Sequence, residues 1–271
     1  RGLAPLHAIK LEAAAITADR LHSRLATESI PIELVDLAET LNQMLARLED
    51  SFRRLSDFSS DIAHELRTPV SNLLTQTQVM LLRVRTIDEY QDVLASNAEE
   101  LERMAKMIAD MLFLAKADNN LVVPNLEAVD LRAEAEGLAS FYEAVAEENS
   151  VALTVDGSAT VTGDRLMLRR AIGNLLSNAF GHTPRGGYVR IQIGKNEDRM
   201  ATIQVENSGE TISPEHLPRL FDRFYRADPS RKRLADGVGL GLALTRSIIQ
   251  AHGGSVSVRS ADGVTIFELQ M

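Results

Sequence analysis

Cysteine and tryptophan are absent from the 271 residues, and aromatic side chains are confined to 8 phenylalanines and 4 tyrosines. Without a thiol there is no disulfide, no thiolate zinc site and no cysteine nucleophile, and a reducing compartment fits. So few rings point to helix-rich packing on Leu, Ala and Met. Positive charge is also short, with 29 Lys plus Arg against 38 Asp plus Glu and a formal charge of -9. Such a surface repels a nucleic-acid backbone, so no direct nucleic-acid partner is expected. No apolar run approaches the ~18 residues that a membrane-spanning helix needs, which predicts a soluble segment. The chain opens on Arg1-Gly2-Leu3-Ala4-Pro5 with no Met, the expected mark of a piece of something longer. What is present is ordinary for a globular protein, 45% hydrophobic and 25% charged, and long enough for about two domains.

Glycine divides the chain. Of its 16 glycines, only Gly2 precedes Gly137. In the glycine-poor half, apolar positions recur at helical spacing. A seam with alternating steps of three and four runs through Leu45, Leu48, Phe52, Leu55, Ser59, Ile62, Leu66, Pro69 and Leu73. After a break at Arg85-Thr86-Ile87, a second seam follows Tyr90, Leu94, Asn97, Leu101, Met104, Ile108, Met111 and Ala115. Two heptad helices with a short connection make an antiparallel hairpin, and two hairpins paired into a four-helix bundle cover both seams. A homodimer is therefore expected, with a hairpin packed on the second half of its own chain as the alternative. Residues 4–30 and 32–50 read as a further helical pair. With Gly2-Leu3-Ala4-Pro5-Leu6, Glu39, Leu41-Asn42 and Met44-Leu45, this pair resembles a HAMP signal-relay module. The main boundary is placed near Asp118 to Pro124, beyond which period-two stretches such as Tyr188-Val189-Arg190-Ile191-Gln192-Ile193 predict half-buried strands.

The string Phe58-Ser59-Ser60-Asp61-Ile62-Ala63-His64-Glu65-Leu66-Arg67-Thr68-Pro69 carries chemistry. Ile62 and Leu66 belong to the seam, so His64 projects to solvent. An exposed neutral imidazole is a competent nucleophile near neutral pH, and the Glu65 carboxylate can hold its other ring nitrogen. Thr68, at i+4, shares the face of His64 and can position a water. Pro69 removes a helical hydrogen bond and is expected to bend the helix. His-Glu-Leu-Arg-Thr-Pro on the first helix of a dimerisation hairpin resembles the phosphoacceptor box of sensor histidine kinases.

That resemblance calls for an ATP-binding domain in the second half. Asp164 is expected to cap a helix running from Leu168 to Ala179. Asn174 and Asn178, four apart, share a face, and their amide oxygens can converge on a hard cation. This pattern resembles the family's N box, which implies Mg²⁺ at Asn178 and phosphate support from Asn174. The strand Ala201 to Glu206 leads into Asn207-Ser208-Gly209-Glu210-Thr211-Ile212. Relatives carry Asp-x-Gly-x-Gly there, the Asp accepting from the adenine amino group. Here Asn207 stands at the Asp position, followed by Gly209, and Thr211 replaces the second Gly. An amide oxygen still accepts, but its NH₂ can donate, which weakens discrimination against guanine. This variant resembles the heavy-metal-responsive subfamily, as does the following Pro214 to Arg226 segment. Phe221 and Phe224 read as an F box at the hinge of a lid over roughly residues 210–236, whose cations are Arg226, Arg231, Lys232 and Arg233. Gly237-Val238-Gly239-Leu240-Gly241-Leu242 reads as a glycine box, with Gly237, Gly239, Leu240 and Gly241 facing phosphates at a helix start. Gly181 stands where relatives carry Lys or Arg, leaving His182 as a partial substitute. The spacing of the other histidines predicts no transition-metal site.

The resemblance implies an α+β chain in three parts. These are a HAMP-like segment over 1–50, a dimeric helical hairpin for histidine phosphotransfer over 51–120, and an ATP-binding α/β sandwich over 121–271 of the type shared with gyrase and Hsp90. It implies autophosphorylation of His64 from Mg·ATP, transfer to an Asp of a response regulator receiver domain, and Thr68-assisted phosphatase activity. It also places the chain as the cytoplasmic part of a bacterial inner-membrane protein held by transmembrane helices outside this sequence. An ATPase of the gyrase and Hsp90 type, or a nucleotide-gated dimer scaffold, is the alternative.

Overall fold

The computed structural model describes residues 7, 10, 17, 20, 22–25, 31–119, 121–196, 199–227 and 238–271, the side chains of 32, 33, 54 and 55 excepted. Contacts divide the chain into two compact units, residues 1–84 and 85–271.

The first unit is dominated by one helix, α1 (Ile32–Leu81), of 50 residues. At ~1.5 Å per residue it is about 75 Å long. No glycine interrupts it, and Pro69, its one internal proline, is buried. The second HAMP-like helix and the first hairpin helix, assigned to separate segments, are thus one continuous rod. Nothing between residues 46 and 56 breaks a helix. Near its start, Asn42 clamps the preceding chain: its Oδ1 accepts from the Leu25 N–H at 2.8 Å and its Nδ2 donates to the Leu25 carbonyl at 3.0 Å. Leu25, Ala38 and Leu45 are buried around that clamp. Further along, Leu48 and Phe52 remain about half exposed, as do Val70 and Leu74. None of the described helices is long and apolar enough to cross a membrane.

The second unit opens with α2 (Ile87–Asp118), at the expected break. Thr86 caps it reciprocally: its hydroxyl accepts from the Glu89 N–H at 3.2 Å while the Glu89 carboxylate accepts from the Thr86 N–H at 2.9 Å. Then come β1 (Glu127–Asp130), α3 (Leu131–Asn149), β2 (Ala152–Gly157), β3 (Thr160–Gly163) and α4 (Arg165–His182). They are followed by β4 (Tyr188–Lys195), β5 (Ala201–Ser208), a 3₁₀ turn at Leu217–Arg219, α5 (Gly241–Ala251), β6 (Ser255–Ala261) and β7 (Val264–Gln270). β1 and β3 pair antiparallel. The main sheet has the order β2-β4-β5-β7-β6, parallel only between β2 and β4, and is therefore mixed.

One face of that sheet is the core. Val189, Ile191 and Ile193 on β4, Ile203 and Val205 on β5, and Phe267 and Leu269 on β7 alternate inward. They meet Leu168, Ile172, Leu175 and Leu176 of α4 and Leu244, Ile248 and Ile249 of α5. Burying each large aliphatic stabilises by ~1.5–3 kcal/mol. Asp164 caps α4 as expected, its Oδ1 accepting from the Met167 N–H at 3.0 Å. Glu134 of α3, 3% exposed, is held by Arg165 at 2.5 Å and Arg169 at 3.2 Å, locking α3 to α4. The C-terminal part of α2 belongs to this unit because Met107, Met111 and Leu114 are buried where α2 meets α5.

Candidate active site

His64 lies on α1 with its imidazole exposed, as does Thr68 one turn later, while Glu65 is half buried. Ile62 and Leu66 are more covered than His64, which follows from their place on the seam. Among the described residues, none of the His64, Glu65 and Thr68 side chains makes a hydrogen bond. The imidazole is thus open to an incoming electrophile.

In the second unit the remaining boxes converge. Asn174, in the middle of α4, donates from Nδ2 to the carbonyl of Gly241, the first residue of α5, at 3.1 Å. The close fit is local, since a Cβ on Gly241 would lie 3.6–3.8 Å from the Asn174 side chain. Leu240, at the N-cap of α5 and 2% exposed, supplies no capping oxygen. The first N–H groups of α5 therefore stay available to an anion beside Asn174. One turn beyond Asn174, the half-buried Asn178 makes no side-chain hydrogen bond among the described residues. A neutral amide oxygen without a described protein partner, one turn along α4 from the residue that touches the start of α5, fits Mg²⁺, which takes few protein ligands plus substrate phosphates.

The end of α4 abuts the segment after β5. Gly209 faces the His182 carbonyl so closely that a Cβ would sit 2.6 Å from its oxygen. Asn207, 3% exposed, donates from Nδ2 to the Ser208 carbonyl at 3.1 Å. Phe221, 8% exposed, meets Phe267 edge-on at 6.2 Å between centroids. The described residues on either side of 228–237 are joined, the Phe224 N–H donating to the Gly239 carbonyl at 2.9 Å. Gly239, at φ +76°, packs on the Phe224 backbone, where a Cβ would meet Phe224 atoms at 2.8 Å. Arg226 is exposed near the last described residue before the gap. Gly237 and the lid cations Arg231, Lys232 and Arg233 lie outside the described residues.

Several neighbours of the site carry no signal in the sequence. Ser208 Oγ accepts from the Tyr188 N–H at 2.9 Å, and the Tyr188 hydroxyl donates to Glu206 at 2.8 Å, which pushes the phenol up from its ordinary pKa. Tyr142 of α3 stacks on Phe180 of α4 at 4.7 Å between centroids. Arg170 of α4 pairs with Asp110 of α2 and sits over the Phe113 ring, and Arg223 pairs with Asp118. These partners are 60 and 105 residues apart, so no local pattern marks them.

Three family models together match most of the chain. The description "Histidine kinase-, DNA gyrase B-, and HSP90-like ATPase" matches residues 163–271, "His Kinase A (phospho-acceptor) domain" matches 54–120 and "HAMP domain" matches 1–50. The chain belongs to the sensor histidine kinases. It is 49% identical to the sensor histidine kinase CusS of Escherichia coli (strain K12) over 96% of its own length and 54% of that relative. It spans about half the length of such relatives. The fold is like that of the histidine kinase AdeS of Acinetobacter baumannii, at TM-score 0.65 and 24% identity over 77% of this chain and 96% of that one. It is also like that of the histidine kinase ThkA in a complex with the response regulator protein TrrA, at TM-score 0.63 and 20% identity over 80% of this chain and 63% of that one. The architecture is the expected one: a helical region followed by an α/β ATPase-type domain with a mixed sheet, α+β overall.

Proposed function

We propose that the chain is the catalytic portion of a sensor kinase that phosphorylates His64 from Mg·ATP and passes the phosphoryl group to an aspartate of a response regulator. The observation that carries the reading is an open His64 in its His-Glu-Leu-Arg-Thr-Pro box, and it is supported by two local contacts in the second unit, Asn174 with Gly241 and Gly209 with His182. One ring nitrogen of His64 forms the N–P bond as the bond from the γ-phosphorus to its bridging oxygen breaks, and ADP departs with that electron pair. Glu65 holds the proton on the other ring nitrogen. In the second step the N–P bond breaks as a carboxylate oxygen of the regulator attacks. Thr68 orients water for the opposing hydrolysis of the regulator's phosphoaspartate. Asn178 would hold Mg²⁺, which neutralises phosphate charge, while the α5 N-terminus, Gly239 and Leu240 cradle the phosphates and Asn207 reads the base. His182 and Arg226 flank the site, and Phe221 anchors the lid. Positioning and charge neutralisation supply most of the rate.

The working form is a homodimer: Leu48, Phe52, Val70 and Leu74 expose on α1 an apolar surface that a second copy covers. The three segments are taken as 1–50, 51–120 and 121–271, the last being the ATP-binding part. Metal-ion response is supported by the resemblance of the Asn207 to Arg226 segment to the heavy-metal-responsive subfamily, and membrane attachment through preceding helices by the greater length of the relatives. The test is transfer of γ-labelled phosphate from Mg·ATP. Acid-labile label on the wild type, at least ~1000-fold reduced in His64→Gln with ATP binding unchanged, is the expected result. ATP turnover without labelled protein, or equal labelling of His64→Gln, overturns it.

A further inference from the structure

Two of the three departures from the family pattern, Asn207 and Thr211, lie together after β5, and the structure links them through a set of hydroxyls. The chain leaves β5 at Ser208 and runs along the tip of the β6–β7 hairpin. There the Gly209 N–H donates to the Gly263 carbonyl at 2.8 Å, and the Gly263 N–H donates back to Thr211 Oγ1 at 2.8 Å. One residue further, the Ile212 N–H donates to Ser260 Oγ at 2.9 Å, and Ser260 Oγ shares a hydrogen bond of 2.9 Å with Thr265 Oγ1. Thr265, 5% exposed, is the cross-strand partner of Asn207. A glycine at position 211 has no hydroxyl with which to close this loop.

The amide of Asn207 is what the clamp controls. An amide reads adenine in one orientation and guanine in the other, because exchanging Oδ1 and Nδ2 exchanges an acceptor for a donor. Here Nδ2 is committed to the Ser208 carbonyl at 3.1 Å. Turned over, Oδ1 would face that carbonyl oxygen and the bond would become a repulsion. The orientation therefore holds only while the Ser208 carbonyl stays in place. Tyr188 fixes Ser208 from one side through its N–H, and the Thr211 and Ser260 bonds fix the segment from the other.

We propose that Thr211 and Ser260 are positioning residues for base selectivity, clamping the 208–212 segment to the β6–β7 hairpin so that Asn207 presents its oxygen to the base. This rests on the nucleotide reading above. The clamp compensates in this chain for the missing carboxylate, whose two oxygens need no such orientation.

The experiment is calorimetric binding of ATP and of GTP, each with Mg²⁺, to the wild-type chain and to Thr211→Val, Ser260→Ala and Thr211→Ser. Each of the first two variants is expected to weaken ATP binding by ~2- to 10-fold and to lower the ATP:GTP preference by a comparable factor, the range of one hydrogen bond. Thr211→Ser, which keeps the acceptor, restores both. The nucleotide-free unfolding midpoint of Thr211→Val stays at the wild-type value, since Thr211 is exposed. An unchanged ATP:GTP preference in both loss variants overturns the clamp alone. So does an equal loss of ATP and GTP with a lowered midpoint, which marks a merely structural role. A wild-type chain that binds no Mg·ATP overturns the nucleotide reading and the clamp together.

Discussion

Helix α1 and the α/β layers of the second unit are both rich in Leu, Ile and Val, but they dispose of them differently. In the layers, Leu168, Ile172, Leu175 and Leu176 of α4 are no more than 1% exposed. On α1, Leu48, Phe52, Val70 and Leu74 are 50–56% exposed. The layers thus satisfy their hydrophobic surface within one chain, whereas α1 carries a stripe suited to another surface. The residues proposed to hold the nucleotide sit in the self-sufficient region. His64, the proposed acceptor, sits on the helix whose apolar stripe is left exposed.

The sharpest way to test that contrast is a pair of truncations. Ile172→Ala in the layers should cost ~2–5 kcal/mol, read from denaturant unfolding of the chain followed by near-ultraviolet signals. A loss below ~1 kcal/mol would mean that the layers are not the self-contained core described here. A smaller effect is expected at the start of α4. Burial alone would raise the Asp164 carboxyl, but the backbone N–H groups of Met167, Asn125 and Leu166 outweigh it and hold the carboxyl below its ordinary value. Its contribution is therefore fully present above the unfolded-state pKa and is lost as pH falls through the folded one. Asp164→Ala should cost ~0.5–2 kcal/mol at neutral pH and remove part of the acid dependence of unfolding. An unaltered pH profile would show that the cap is replaceable. The smallest effect on folding is expected on α1. Leu48→Ser with Phe52→Ser should shift unfolding of the layers by no more than ~0.5 kcal/mol. The same pair should weaken self-association measurably in sedimentation equilibrium, and unchanged association would place the dimer surface elsewhere.

Much of this arrangement is legible locally. The Asp164 cap, the strands at Tyr188 and Ala201, the break before Ile87 and the helix start at Gly241 follow from capping chemistry and from periods of two and 3.6. The face of α2 that meets α5 is not legible that way. Heptad counting finds the stripe through Tyr90, Leu94, Leu101 and Met111, yet of these only Met111 is buried, and the other buried residues lower down, Met107, Asp110 and Leu114, lie beside the stripe. The contact with α5 widens the buried face beyond the stripe, and a single-period reading sees the stripe alone. The glycines teach a similar lesson. Gly209 reads as part of the base-recognition box and Gly239 as an opening for phosphates, but each is also demanded by the protein itself, against the His182 carbonyl and the Phe224 backbone. The hydroxyl contacts of Thr211, Ser208 and Ser260 are invisible in sequence because strand alternation records burial, not hydrogen-bond partners.

The continuity of α1 has a mechanical consequence. His64 lies 32 residues beyond Ile32, about 48 Å along an unbroken helix. A rod of that kind stores little twist and cannot absorb a displacement in a flexible joint. A turn or tilt imposed near Asn42 arrives at His64 as the same turn or tilt, re-aiming the imidazole without unfolding anything between. Pro69, just past the histidine, is the first place where a missing backbone hydrogen bond lets such a motion be taken up. The helix works there as a drive shaft whose compliance begins immediately beyond its load.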